Sequence, residues 1–365
     1  MFSPPAWLQS PKSNRLVLVI KVTIAFSIVL LVTQLLLGDH DIPHHISKFT
    51  IPQPQKLPNF IAHGDSQCLP PVNQTLLTYS VNVHSECRKN APFATGRARI
   101  ATVTAHFGES REHYQHAFET HLLHSLIHGT ELHVMCDKVV DDLWNKPAFI
   151  LSLLLKEMEL PPEKRLEWIF WVDRDTIIMD QCRPTSSFLP PDWHTRVADK
   201  SQKGPPLDVN LIVTKDHNGL NNGVFLLRVG NWALDMFTDI LAFRDYKPDV
   251  ELIFTEQSAM ENVMDEPKFK YQTQVVPQHW FNAFPAGGPD EYESRKSDKD
   301  YEGMEDNRMR KGDFLLHFAG DGNKGESISQ WRDFVSRIPH PWNSPETIRR
   351  DSTESIAKWW GELGF

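Results

Sequence analysis

The chain has 365 residues, enough for two domains or for one large domain with appendages. Its 47 acidic residues outnumber the 38 basic ones, which gives a formal net charge of −9. This charge balance provides no basic field to neutralise phosphates, so nucleic acid is not expected as a partner.

The first predicted element is a transmembrane helix over residues 16–37. This segment is largely apolar and long enough to span a hydrocarbon core of about 30 Å. Lys12 and Arg15 precede it, so the positive-inside rule places the tail, residues 1–15, in the cytosol and the remainder in the lumen. The alternatives are a cleaved signal peptide, which would need a small-residue cleavage site, and a buried soluble helix, which would need an amphipathic period.

Residues 38–95 follow as a predicted stem. They are rich in proline, histidine, asparagine and glutamine, and the prolines are expected to break regular elements. Asn73-Gln74-Thr75 matches the N-glycosylation acceptor pattern, which is useful only in a lumenal segment.

The chain contains four cysteines, which are Cys68, Cys87, Cys136 and Cys182. In an oxidising lumen they can form disulfides, with three connectivities to choose from. Alternatively, Cys136 is a buried free thiol, because it follows an apolar run. There is no Cys-x-x-Cys pair to indicate structural zinc.

Residues 96–365 alternate predicted strands with predicted helices. Strands are expected over residues 99–105, 131–136 and 167–172, and helices over residues 113–128 and 148–159. The histidines of the first helix are expected on a solvated face. This alternation predicts an α/β fold with a mainly parallel sheet covered on both faces. Ligands of such sheets bind beyond the carboxyl ends of the strands.

Asp173 and Asp175 directly follow the apolar strand 167–172. Residues two apart in an extended segment point to the same side, so both carboxylates can face one cation, preferably Mg²⁺ or Mn²⁺. Such a cation would neutralise the leaving diphosphate of a nucleotide sugar. One alternative is an acidic turn without a ligand. Another is a phosphatase of the haloacid dehalogenase type, which usually has Thr or Val where this chain has Ile177.

Three later segments place polar residues beside apolar strands or helices. Asp216 to Gly223 is a polar turn whose side chains can bind sugar hydroxyls, although a simple hairpin turn fits equally. Glu256 and Gln257 open a predicted helix, at the positive end of its dipole. His317 ends a predicted strand, and together with the two aspartates it is interpreted as a metal ligand.

In this order the segments resemble glycosyltransferase family 34, the fungal Golgi galactosyltransferase and α-1,6-mannosyltransferase family with plant xylosyltransferase relatives. The matching pieces within residues 98–335 are Thr-Val-Thr, Trp-Val-Asp-Arg-Asp-Thr-Ile-Ile-Met, Gly-Leu-Asn-Asn-Gly-Val-Phe-Leu-Leu-Arg, Glu-Gln-Ser-Ala, Val-Pro-Gln-His-Trp-Phe-Asn-Ala-Phe and His-Phe-Ala-Gly. The resemblance implies a Rossmann-like GT-A domain in a single-pass type II Golgi membrane protein. It also implies a retaining hexosyltransferase that uses Mn²⁺ or Mg²⁺, with UDP-galactose or GDP-mannose as donor and a glycan as acceptor.

The resemblance also implies roles for individual residues. Asp173, Asp175 and His317 would ligate the metal, and Asp173 would also contact the donor ribose. Gln257 would lie beneath the anomeric carbon, which favours a front-face displacement, because a double displacement needs a nucleophilic carboxylate. The neighbouring catalytic residues would be Glu256 and Asp216. The donor or substrate would further contact Thr104, Asn221, Gly223, Gly320 and Lys324.

The chain departs from the family pattern after Gly320. Many relatives have a cysteine there and a nearby lysine that meets the diphosphate, where this chain has Asp321-Gly-Asn-Lys324. Residues 289–311 are highly charged and are expected to form a mobile loop.

A protein of another class would fit the same fold: a non-catalytic subunit of a Golgi glycosyltransferase complex. Loss of Asp173, Asp175 or His317 would favour that function, and all three are present. A hetero-oligomer with other glycosyltransferases is compatible with either function.

Overall fold

A computed structural model of the chain describes residues 58–93, 98–191 and 208–365. The predicted cytosolic tail and transmembrane helix, residues 1–37, lie outside these ranges. None of the helices within them is both long and apolar enough to cross a bilayer.

The described ranges contain nine strands and eight α-helices. The strands are β1 (Phe60–His63), β2 (Ile100–Ala105), β3 (Glu131–Met135), β4 (Trp168–Val172), β5 (Thr176–Ile178), β6 (Leu211–Asp216), β7 (Gly219–Arg228), β8 (Thr273–Val275) and β9 (Leu315–His317). The helices are α1 (Gln74–Asn90), α2 (Glu112–His128), α3 (Asn145–Glu159), α4 (Asn231–Tyr246), α5 (Glu256–Met264), α6 (Pro289–Ser294), α7 (Lys324–Arg337) and α8 (Thr353–Glu362).

Seven strands form one mainly parallel sheet in the order β1-β3-β2-β4-β7-β6-β8. Strands β1 to β4 pair in parallel, as do β6 and β8, whereas β7 runs antiparallel between β4 and β6. Helices α2 and α3 supply the crossovers that parallel pairing requires. The predicted α/β class with a mainly parallel sheet is therefore confirmed. The carboxyl ends of β2, β3 and β4 share one edge.

The side chains of β4 alternate between two hydrophobic cores. Trp168 and Phe170 pack into a cluster that contains Trp360 of α8, and Ile169 and Trp171 pack into one with α3, α4 and α5. All five residues of the strand are buried. A strand buried on both faces needs a continuous apolar sequence, which is why this run predicts the strand so well.

The prediction of an irregular stem over residues 38–95 is wrong for residues 58–93. Strand β1 extends the main sheet beside β3, and helix α1 packs on α2. The prolines precede these elements, so they do not interrupt them. Asn73 accepts a hydrogen bond from the backbone of Leu76 and thereby caps α1.

Two disulfides connect this segment to later parts of the chain. Cys68 is bonded to Cys136 at the end of β3, and Cys87 of α1 is bonded to Cys182. The alternative of a free thiol at Cys136 is wrong, because the loop after β1 brings Cys68 to within 5.4 Å of it, measured between Cα atoms.

Two further expectations are wrong, both because charged or polar sequence is not always exposed. The α2 residues His121 and His124 are buried, and each ring contacts a backbone carbonyl, that of Thr176 and that of Arg183 respectively. Residues 289–311 are folded and do not form a mobile loop. They contain α6, and Tyr292 and other apolar side chains there pack into the core.

Candidate active site

A cavity of about 650 Å³ opens at the sheet edge where β2 and β4 end. Asp173 and Asp175 follow β4 and line the cavity, together with Glu256 at the start of α5. Because β7 is antiparallel, its amino-terminal part, which includes Gly223, reaches the same edge. The site therefore lies where ligands of α/β sheets bind.

The short sheet of β5 and β9 brings Asp175 and His317 together. Thr176, the first residue of β5, pairs with His317, the last residue of β9, in an antiparallel register. The backbone N–H of Phe318 donates to the Asp175 carbonyl at 3.0 Å. One ligand atom from each of Asp173, Asp175 and His317 lies within 4.8 Å of the others.

Asn282 fixes the orientation of the His317 ring. Its amide nitrogen donates to Thr214 Oγ1 at 2.7 Å and to Asn221 Oδ1 at 3.1 Å, so its oxygen faces His317 Nδ1 at 2.8 Å. This oxygen can only accept, so Nδ1 carries the proton. The other ring nitrogen, Nε2, lies 3.4 Å from Asp175 Oδ1, and in the neutral ring it has the lone pair that a metal ligand requires.

Lys146, in the first turn of α3, connects the aspartate motif to α5. Its ammonium nitrogen lies 3.1 Å from Asp173 Oδ1 and 3.3 Å from Glu256 Oε1, and it donates to Asn222 Oδ1 at 2.9 Å. Burial alone would lower the pKa of Lys146, but the two carboxylates outweigh it and raise the pKa. Lys146 is therefore a permanent cation in the wall of the cavity.

Lys324 is the first residue of α7 and forms an ion pair with Asp175 Oδ2. Burial would raise the pKa of Asp175, but a protonated His317 ring and the Lys324 ammonium outweigh it and hold the pKa well below its usual range. Asp175 is therefore ionised, as a metal ligand must be. Lys324 lies in the segment after Gly320 that departs from the family pattern, but its ammonium group still reaches the site.

The start of α5 presents Glu256 and Gln257 to the cavity. Gln257 Oε1 accepts a hydrogen bond from the backbone of Asn222 at 3.1 Å, which leaves its amide nitrogen for a ligand. Glu256 Oε1 pairs with Lys146, and Glu256 Oε2 is buried with no hydrogen-bond partner among the described residues. A buried carboxylate oxygen of this kind needs a donor, and a sugar hydroxyl would supply one.

The remaining predicted site residues lie at different distances from this centre. Asn221, Gly223, Gly320 and Lys324 line the cavity. Asp216 does not: its carboxylate accepts from the backbone of Asn218 and from the Asn221 amide, so it braces the β6–β7 turn. Thr104 is buried in β2, and its neighbour Ala105 reaches the cavity in its place.

Sequence reasoning missed Lys146 and Asn282. Cations are unfavourable in the first turn of a helix, so a lysine directly before Pro147 could have indicated a nearby carboxylate. Asn282 is part of the Val-Pro-Gln-His-Trp-Phe-Asn-Ala-Phe motif, but its role depends on a contact across 35 residues of sequence, which no local pattern shows.

The donor set fits a divalent metal of the Mn²⁺ or Mg²⁺ class. Two carboxylates provide hard oxygen ligands, and the imidazole adds a nitrogen that Mn²⁺ accepts. Three protein ligands leave further coordination positions for a diphosphate or for water.

The comparisons with known proteins identify the family of the chain. The galactosyl transferase GMA12/MNN10 family pattern matches residues 109–327, which is more than half of the chain. A probable alpha-1,2-galactosyltransferase, gmh1, of Schizosaccharomyces pombe is 23% identical over 221 residues, covering 55% of this chain and 60% of that protein. A probable alpha-1,6-mannosyltransferase, MNN10, of Saccharomyces cerevisiae is 28% identical over 176 residues, covering 42% of this chain and 41% of that protein.

Among solved structures, a glycosyltransferase involved in glycosylation of the major capsid of PBCV-1 is 15% identical. It aligns with a TM-score of 0.44 over 63% of this chain and 98% of that chain. The matches to the curated relatives span about half of those proteins' own lengths. The family match confirms the resemblance drawn from the motifs, and the chain belongs to the galactosyl transferase GMA12/MNN10 family.

Proposed function

We propose that this chain is a metal-dependent hexosyltransferase of the GT-A type, which moves galactose or mannose from a nucleotide sugar to a glycan. The convergence of Asp173, Asp175 and His317 on one cavity at the carboxyl edge of the sheet is the observation that carries the proposal. The names of the relatives, galactosyl- and mannosyltransferases, support a hexose donor.

The metal would be held by Asp173, Asp175 and His317, and when bound it would neutralise negative charge on the leaving diphosphate. Lys324, beside Asp175, is the cation best placed to add to this neutralisation. Lys146 pairs with both Asp173 and Glu256 and so fixes their relative positions, and Asn282 fixes the tautomer of His317. These neighbours pre-organise the charged groups before the donor arrives.

For the stereochemistry we propose retention through a front-face displacement: the acceptor oxygen bonds to the anomeric carbon on the face from which the diphosphate leaves, and the leaving phosphate takes the acceptor proton. Glu256 is the carboxylate that lines the cavity beside Gln257, but its ion pair with Lys146 weakens it as a nucleophile. The Gln257 amide cannot form a glycosyl ester, so its amide nitrogen would instead donate to a sugar oxygen and hold the donor in place. A covalent sugar adduct on Glu256, detected by mass spectrometry, would refute this step.

The cellular context is also a proposal. Residues 16–37 would anchor a type II Golgi membrane protein with residues 38–365 in the lumen, where two disulfides can form. A hetero-oligomer with other glycosyltransferases remains part of this proposal.

The test is a donor screen with the full-length chain purified in detergent. UDP-galactose, GDP-mannose, UDP-glucose and UDP-xylose are each incubated with Mn²⁺, and sugar release is measured by chromatography. We expect hydrolysis of one hexose donor, abolished by EDTA. If the folded protein binds and hydrolyses none of them, the non-catalytic subunit becomes the better description.

A further inference from the structure

Three of the apolar side chains that line the cavity are exposed. Leu143, Ile253 and Phe254 line the cavity, yet 51%, 74% and 42% of their surfaces remain accessible. We call these three residues the apolar rim. Single exposed apolar residues are ordinary, but a group on one cavity mouth indicates a ligand surface.

Both loops that carry the apolar rim have strained backbone. Asp142, next to Leu143, has φ of 44°, and Thr255, next to Phe254, has φ of 51°. In the described ranges these are the two non-glycine residues with positive φ, and such values are unfavourable for a β-branched threonine. Strain of this kind persists only where surrounding contacts enforce it, and it concentrates at functional sites.

The enforcing contacts are visible for both loops. The buried Asn145 side chain accepts from the backbone of Val139 and Val140 and donates to the carbonyl of Asp142. In the second loop, the backbone N–H of Phe254 donates to Ser258 Oγ at 2.9 Å. The apolar rim is therefore held in place before any ligand binds, which reduces the entropy cost of binding.

We infer that the apolar rim is an acceptor subsite, which binds a pyranose ring of a neutral glycan next to the ring that receives the sugar. The inference rests on the proposed function. Pyranose rings present apolar C–H faces, which bind to aromatic and aliphatic side chains. The charged groups that suit a diphosphate, Asp175 with its metal site and Lys324, belong to other segments of the chain, the turn after β4 and the start of α7. A ligand that contacts the apolar rim and also reaches Gln257 must enter the cavity. A glycan chain is narrow enough to do so.

The probe is α-1,6-mannobiose, a neutral disaccharide, and its Kd is measured by saturation-transfer NMR with the full-length chain. We expect Ile253→Ser and Phe254→Ser each to raise this Kd about tenfold. Phe254→Tyr should retain binding, because the ring is kept. Tyr271→Ser is the matched control, because Tyr271 is 72% exposed and lies outside the residues lining the cavity.

A second arm separates this inference from the proposed function. Mn²⁺-dependent binding of UDP and GDP, measured by calorimetry, should be unchanged in the rim variants and lost in Asp175→Asn, whereas Asp175→Asn should still bind mannobiose. Equal mannobiose affinity in wild type and both serine variants, or no binding by wild type, overturns the subsite. If UDP and GDP do not bind with Mn²⁺ but mannobiose binds as expected, the proposed donor function is overturned and the acceptor subsite is not.

Discussion

Gly223 and His317 are so close that a Cβ atom at position 223 would lie 2.3 Å from His317 Cε1. No real Cβ contact is this short, so a side chain at position 223 must displace the ring from the bond between Nδ1 and Asn282. We predict that Gly223→Ala weakens Mn²⁺ binding by about 10- to 100-fold, as losses of ligand orientation generally do. Isothermal titration measures this effect directly.

The control for Gly223→Ala is Gly361→Ala. A Cβ at Gly361, in helix α8, meets nothing within 4 Å. This variant should bind Mn²⁺ like the wild type. If both alanine variants bind equally well, His317 is not held by the packing of Gly223.

Lys146→Met is expected to lower the free energy of unfolding by about 3 kcal/mol, because it leaves Asp173 and Glu256 without their buried cation. Urea unfolding followed by tryptophan fluorescence measures the change. Adding Glu256→Gln should recover part of the loss, since one unpaired charge is then removed. Lys215→Met, which breaks an exposed pair with Glu261, should cost about 0.5 kcal/mol. Similar losses in both lysine variants would show that Lys146 is not a buried structural cation.

Stability should fall as the pH drops from about 6.5 to about 4. Burial disfavours the charged ring and lowers the pKa of His124 from 6.5 to about 4, although the hydrogen bond to the Arg183 carbonyl opposes this shift. The unfolded state therefore binds the proton first, and stability that is complete above the unfolded pKa is lost as the pH falls towards the folded pKa. For one histidine the loss is ~3 kcal/mol.

The measurement is the free energy of unfolding against pH, in wild type and in His124→Gln. The variant should be less stable at pH 7.5 but should show a shallower slope below pH 6.5. His217→Gln, at an exposed position in the β6–β7 turn, should keep the wild-type slope. A wild-type slope in His124→Gln would mean that other groups control the acid response.

The sequence was most informative where the residues of one segment are enough to predict its structure and burial. The apolar run of β4 predicts a strand buried on both faces, and Asp173 and Asp175 must then emerge at its carboxyl end. The ordered motifs predicted the family. What local patterns could not show were contacts across long separations: Asn282 on His317, Lys146 between two carboxylates, and the pairing of the cysteines.

Predictions from composition were wrong where tertiary contacts stabilise a structure that the local sequence does not favour. The composition of residues 38–95 predicts an irregular stem, yet within residues 58–93 β1 gains hydrogen bonds from β3 and α1 gains a buried face against α2. The histidines of α2 look like a polar face in sequence, but Thr176 and Arg183 offer backbone carbonyls that make His121 and His124 suitable for burial.

The disulfides predict a clear dependence on redox conditions. Cys87–Cys182 closes a separation of 95 residues, and its removal in Cys87→Ala/Cys182→Ala should lower the free energy of unfolding by about 4 kcal/mol. Thermal unfolding with and without reductant measures this, and reductant should shift the double variant less than the wild type. Non-reducing peptide mapping that found any other pairing would contradict the connectivity.

The most direct test of the central claim is Mn²⁺ titration of donor turnover in wild type and in Asp175→Asn. Asp175 faces both His317 and Lys324, so replacing its carboxylate by an amide removes one ligand charge with little change in shape. We predict saturable Mn²⁺ activation in the wild type and at least a ~100-fold loss of turnover in the variant. Wild-type turnover that persists in EDTA, or an Asp175→Asn variant with full activity, would contradict it.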